Sequence, residues 1–249
     1  MTNKSIEIIY TKLLSSQYKG QPLWQLIQNE TLTAVPHFLG YHYEDCKEKI
    51  MVVGRAVNGW EVSFPNCSTL ENTVHSILNQ AQRLDKVVDL NGVKYKDSNG
   101  KTKTYYYSRS PFWRLIRKVM ESYGEAENWN QKILWSNLYK IAPRRTGNPS
   151  WSLIKQDLDL YIACIVEEIN AYKPDKVLFI TDSNYFTPYN NRLSFADALN
   201  VTMKPYGQHI VGSGAYNNSK IVVCKRPEFR NTDAMAEEIN AQFDMLNRL

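Results

Sequence analysis

Cysteine is scarce in this 249-residue chain: Cys46, Cys67, Cys164 and Cys224 are far apart and none belongs to a CxxC pair. That spacing suggests neither a zinc site nor a disulfide framework, and free thiols in a reducing compartment are the simpler reading. Histidine is equally sparse, with four residues. His37 and His42 lie five positions apart in a polar stretch without HExxH or CxxH nearby, and so read as surface residues rather than metal ligands. No uninterrupted apolar run approaches the roughly 20 residues that span a bilayer. The opening Met1-Thr2-Asn3-Lys4-Ser5 is polar and lacks the apolar block of a secretory leader, so a cytoplasmic protein is expected. Neither charge sign dominates: 30 Lys and Arg against 25 Asp and Glu leave a formal charge of +5. This allows nucleic acid as a partner without requiring it. Repeats, low-complexity segments and a dividing linker are also missing, and one domain over 1–249 is expected.

What is present is apolar and aromatic: 43% hydrophobic residues, including six Trp and sixteen Tyr, enough for a substantial core with some rings left for surface contact. The stretch Ile50-Met51-Val52-Val53-Gly54-Arg55-Ala56-Val57-Asn58-Gly59-Trp60 organises the rest. Its apolar run suits a strand covered on both faces, and Gly54 and Gly59 permit positive φ or close backbone approach. In an open α/β sheet ligands bind at such a strand end, although an ordinary turn after a core strand has the same appearance.

Before it, Ile6, Ile9, Leu13, Leu14, Trp24 and Ile27 recur at near-helical spacing around Gly20-Gln21-Pro22, predicting two short helices within 5–28. After it, Val74, Ile77, Leu78 and Ala81 predict a helix over 70–84. Turn signals at Asn91-Gly92 and Asp97-Ser98-Asn99-Gly100 predict a hairpin insertion over about 86–107. Its Lys94, Lys96, Lys101 and Lys103 beside Tyr105-Tyr106-Tyr107 suit phosphate and base contacts, or equally a solvated edge protected by lysines. Ser110-Pro111 opens a helix with Phe112, Leu115, Ile116 and Val119 inward and Arg114, Arg117 and Lys118 outward. A second strand over 132–143 runs into the basic loop Arg144-Arg145-Thr146-Gly147. A long helix over 152–172, a third strand over 177–182, a fourth over 221–224 and a last helix over 232–246 complete the chain. Recurring helix-then-strand units predict an α/β fold: a three-layer αβα sandwich with a four-stranded, mainly parallel sheet.

The strand ends carry, in chain order, Gly54-Arg55-Ala56-Val57-Asn58, Asn137, Asp182 and Arg226-Pro227-Glu228. This order resembles the uracil-DNA glycosylase superfamily over about 49–229. That family has a first strand ending in Gly-x-Asn/Asp-Pro, a middle strand whose Asn reads a flipped base, and a late strand followed by His-Pro-Ser. The Pro111-Phe112-Trp113-Arg114-Leu115 segment is similar to the helix after the family's base-stacking loop. The chain departs from the pattern at Ala56, where the family has its water-activating residue, at Val57 for Pro, at Arg226 for His and at Glu228 for Ser.

The resemblance implies a DNA-binding protein, on single or double strands, that hydrolyses the N-glycosidic bond of an aberrant base such as uracil. A non-catalytic nucleic-acid binder and an α/β enzyme for a nucleotide-like ligand are the alternatives. Asn137 offers the acceptor and two donors that a base edge requires, with Gly54, Arg55 and Phe112 around the base; an Asn at a strand end can equally satisfy its own turn. Asn58, Asp182 and Arg226 are the catalytic candidates, for the water, the oxocarbenium-like sugar and the departing base. Asp182 also suits a helix cap. Lys140, Arg144, Arg145 and Pro227 are expected against the DNA backbone, or else in a solvated basic loop. No metal or cofactor is implied, no membrane is expected, and a monomer is anticipated.

Overall fold

A computed structural model describes residues 3–57, 67–80, 84, 88–96, 100–145, 147–189 and 193–248, with backbone only at 95 and 96. Asn58 and the expected turn over 97–99 lie outside the described residues.

The buried apolar runs form the strands that their composition predicts, and these lie side by side. Ile133–Asn137, Ile50–Gly54, Lys176–Ile180 and Ser219–Cys224 pair in that spatial order, all parallel. The sheet is wider than expected. Ile210–Tyr216 and Val201–Thr202 extend one side and Phe38–Leu39 the other, all antiparallel, giving a mixed sheet of seven strands rather than four. The added strands are legible only through their partners. Ile210–Tyr216 contains Gly212 and Gly214, which weaken an apolar pattern. A Cβ on Gly214 would come 2.3 Å from the Asn200 carbonyl oxygen, so the close approach of the outermost strand requires that glycine.

Alternation along the parallel strands divides the core in two. Met51, Val53, Val177, Phe179, Ile221 and Val223 pack in one apolar cluster with the helices Lys4–Ser15, Leu70–Asn79 and Leu158–Tyr172. Ile50, Val52, Leu178, Ile180, Val222 and Cys224 pack in the other with Pro111–Glu121 and Thr232–Leu246. The result is a three-layer arrangement with helices on both faces of the sheet.

Two long elements are interrupted. The expected strand over 132–143 stops at Asn137, and Ile141–Pro143 leaves to pair with Leu32–Ala34. The expected helix over 152–172 breaks at Asp157, whose φ of −120° is not helical and whose carboxylate accepts the Ser16 hydroxyl at 2.9 Å, giving Trp151–Gln156 and Leu158–Tyr172. The hairpin pairs Val93–Lys96 with Thr102–Tyr105. Among the described residues no helix is long and apolar enough to cross a membrane.

Candidate functional site

The parallel register sets Gly54 directly beside Asn137. Because Val53 and Ser136 point toward the Leu158–Tyr172 side, their successors Gly54 and Asn137 turn to the opposite face, where Pro111–Glu121 packs. That helix presents Phe112 at its second residue, half-buried, while Trp113 takes the core position expected for it. The three residues converge on one point. A Cβ on Gly54 would stand 2.6 Å from Asn137 Oδ1 and 3.5 Å from the Phe112 ring. Asn137 is 2% exposed, and its Nδ2 is buried with no hydrogen-bond partner among the described residues. An unmet buried amide costs on the order of 1–3 kcal/mol, which a ligand accepting from it would offset.

Gly54→Ala tests this convergence. The added methyl cannot share space with Asn137 Oδ1, and overpacking of this kind is expected to cost about 1–3 kcal/mol. Chemical denaturation gives the cost, and the Asn137 side-chain amide resonance should shift. An unchanged midpoint and an unchanged resonance would show that the three residues do not meet.

The neighbouring strand ends add charge. Asp182 follows Lys176–Ile180 with φ 62° and ψ 164°, a conformation that belongs almost entirely to glycine and costs on the order of 1–3 kcal/mol. Its Oδ1 accepts the Arg226 backbone N–H at 3.1 Å. Burial pushes its carboxyl above the ordinary carboxylate range, and Arg55 and Arg230 offset only part of that rise. Arg55, next to Gly54, lays its guanidinium over the Tyr185 ring at 4.4 Å, with a buried Nε that has no hydrogen-bond partner among the described residues. Arg226 departs from the expected role: its guanidinium pairs with Glu228, which compensates its charge locally. Pro227 is buried in the same turn.

Phe229, just beyond, is fully exposed at φ 61°. The turn is closed by Arg230 N–H to Pro227 O at 3.1 Å and Arg230 Nε to Arg226 O at 3.0 Å. Sequence reasoning missed both Phe229 and Tyr185. An aromatic directly after Pro227-Glu228 was the available signal for the first, and nothing local marks the second.

The expected phosphate contacts divide. Arg145 is exposed. Arg144 is mostly covered and pairs with Glu30 at 2.6 Å. Lys140 is not at the surface at all: it is 0% exposed, with Nζ 2.7 and 2.8 Å from the two Glu168 oxygens and hydrogen-bonded to Ser136. The chain turns after Asn137, sending Lys140 to the face that Ser136 occupies. Its ammonium cannot reach a phosphate. His37 also departs from expectation, being buried with Nε2 2.6 Å from the Tyr172 hydroxyl and Nδ1 3.5 Å from Glu168, whereas His42 lies near the surface beside Asp45. Among the described residues no group of three or more His, Cys, Asp or Glu side chains could hold a metal ion.

No family model and no curated protein matches the chain. Among solved structures it is similar to the crystal structure of wild-type SMUG2 from Pedobacter heparinus, with a TM-score of 0.46 and 12% identity over 100% of both chains.

Proposed function

We propose that this protein binds a nucleobase swung out of DNA between Gly54, Phe112 and Asn137, and hydrolyses the N-glycosidic bond that holds it. The observation carrying this reading is the buried Asn137 Nδ2, which has no hydrogen-bond partner among the described residues, on a side chain facing Gly54 with Phe112 alongside. An amide N–H donates to a base carbonyl, an aromatic face stacks on the base, and the missing side chain at Gly54 leaves room for the Asn137 amide to sit against the strand. Fully exposed Phe229 supplies an apolar wedge able to enter the stack that the base leaves.

For the chemistry, Asp182 in its ionised form takes a proton from water. The water oxygen bonds to the sugar carbon, the carbon–nitrogen bond breaks, and its electron pair leaves with the base. Arg55, beside the pocket glycine, is the cation available to that developing charge. The expected contribution of the Arg226 guanidinium is reduced by its pairing with Glu228.

The test is incubation with oligonucleotides bearing uracil, hypoxanthine or a mismatch, read as abasic-site formation. Asn137→Ala is expected to lower kcat/KM on the preferred base by about 5- to 150-fold, the worth of a paired hydrogen-bond contact to one base. A second reading, a base-selective binder without catalysis, is favoured by Ala56, which brings no polar group to the position where the family activates water. Base-selective binding that depends on Asn137, with no abasic product from any substrate, would establish it. Thermal protection by a free nucleotide and indifference to DNA would instead assign the site to a small ligand.

A further inference from the structure

The hairpin of Val93–Lys96 and Thr102–Tyr105 supplies none of the three base-pocket residues, yet the segment around it holds most of the chain's net charge. Over 86–109, six Lys and Arg stand against Asp89 and Asp97, a net +4 in a chain of net +5. The two strands pair only with each other, so each keeps an outer edge whose backbone N–H and C=O groups meet no third strand among the described residues. Thr102–Tyr105 is also open on both faces: Lys101, Thr102, Lys103 and Tyr105 are exposed and Thr104 is half-buried. Register sets Lys103 and Tyr105 on one face with Val93, and Thr102 and Thr104 on the other with the exposed Lys94. The ribbon is anchored at its base, where Tyr105 meets Tyr107 edge-on at 5.0 Å and Tyr107 meets the buried Trp113 at 5.6 Å.

We infer that the outer edge of Thr102–Tyr105 docks an extended, acidic segment of a partner protein, which joins the hairpin as a third strand. An open edge offers main-chain hydrogen bonds to any extended chain, and charge decides which chain takes them. Lysines along the edge repel a second copy of the same hairpin, whereas a strand rich in carboxylates meets attraction instead. Side chains of an added strand alternate between the two faces of the ribbon. Here one face offers Lys103 and the other the Thr102 and Thr104 hydroxyls with Lys94 behind them, so carboxylates on both faces find donors. A DNA backbone lying across one face would leave the donors of the other unused. Because the ribbon is already folded and anchored, little ordering on its side opposes the contact.

Fluorescence anisotropy tests this with short labelled peptides: a Glu-Thr repeat, a Lys-Thr repeat, and two Glu-Thr repeats N-methylated at either the odd or the even amides. Successive N–H groups of a strand point to opposite edges, so one methylated set faces the hairpin and the other faces solvent. The Glu-Thr repeat should bind and the Lys-Thr repeat should not. One methylated peptide should lose about tenfold or more, the worth of two hydrogen bonds, and the other should keep its affinity. Lys101→Glu combined with Lys103→Glu should weaken the Glu-Thr repeat by about tenfold at low salt and by less at high salt. Circular dichroism reports whether that variant folds.

Equal affinity for both methylated peptides would reduce the contact to charge alone and overturn the added strand. Failure of the Glu-Thr repeat to bind would overturn it too, leaving a solvated edge protected by its lysines. A folded double variant that holds the Glu-Thr repeat as wild type does, but loses affinity for labelled DNA, would overturn it in favour of a nucleic-acid contact. None of these outcomes depends on Asn137, so the docking edge and the base pocket stand or fall separately.

Discussion

Lys140→Met is expected to destabilise the protein by about 3–5 kcal/mol at neutral pH, the cost of leaving a buried charge without its partner. Lys140 and Glu168 are both 0% exposed. Glu168 accepts from Lys140 at 2.7 and 2.8 Å and from Ser136 at 2.7 Å, with His37 Nδ1 3.5 Å away, an electrostatic contact rather than a hydrogen bond. Burial alone would push this carboxyl up, but Lys140 foremost and His37 next outweigh it and hold the pKa at about 2. A carboxylate depressed in the folded state contributes stability above its ordinary value of 4.5, and that contribution fades as pH falls toward about 2.

Without Lys140 the largest effect opposing burial is lost, leaving the smaller one of His37, and the sign is expected to reverse. The penalty on the variant is then present at neutral pH and shrinks as acid protonates Glu168. Guanidinium denaturation at pH 7 and pH 4 reads both effects. Lys140→Met combined with Glu168→Met should recover much of the loss, since replacing both charges by apolar groups is often near neutral. Equal midpoints for Lys140→Met and wild type at pH 7 would show that the pair is not buried as described.

Under the proposed mechanism, Asp182→Asn is expected to lower the rate of base excision by about 10²–10⁴-fold, the usual contribution of a positioned general base. The ionised carboxylate is the active form, so the wild-type rate should fall as pH drops through a pKa raised above the ordinary 3.8, and the variant should lose that acid limb. Stability runs the other way. A carboxyl whose folded pKa is raised stabilises fully below its unfolded pKa and ceases to do so as pH rises through the folded one. At neutral pH Asp182→Asn should therefore be neutral or stabilising, and Asp182→Gly more so, because φ 62° with ψ 164° suits glycine. Activity lost with stability kept marks a residue retained for chemistry. A variant with wild-type rate and pH profile would remove Asp182 from the mechanism.

The buried strands were readable because both of their faces are covered, which leaves unbroken runs such as Met51-Val52-Val53 and Val177-Leu178-Phe179-Ile180. The hairpin was readable from its turn residues. Phe38–Leu39 and Val201–Thr202 were not, because two residues carry no periodicity and become strands only beside a partner. Lys140 and His37 misled for a different reason. A cation in a polar or basic stretch looks solvated, and Glu168, its answering charge, is 28 positions from Lys140 on a helix whose periodicity says only that it packs.

Local sequence by itself determined that Gly54, Asp182 and Arg226 stand at strand ends, because each follows an apolar run that had to be buried; the end at Asn137 was set by the chain leaving the sheet to pair with Leu32–Ala34. Tertiary structure alone decided which of them meet. Parallel register set Gly54 beside Asn137 and, by side-chain alternation, turned both toward Phe112 and Ser136 toward Glu168 on the opposite face, where the turn after Asn137 also brings Lys140. Alternation along one strand assigns neither face until its neighbours are in register, which is why the Asn137 amide proposed to read a base and the buried Lys140, three residues on, could not be told from one another beforehand.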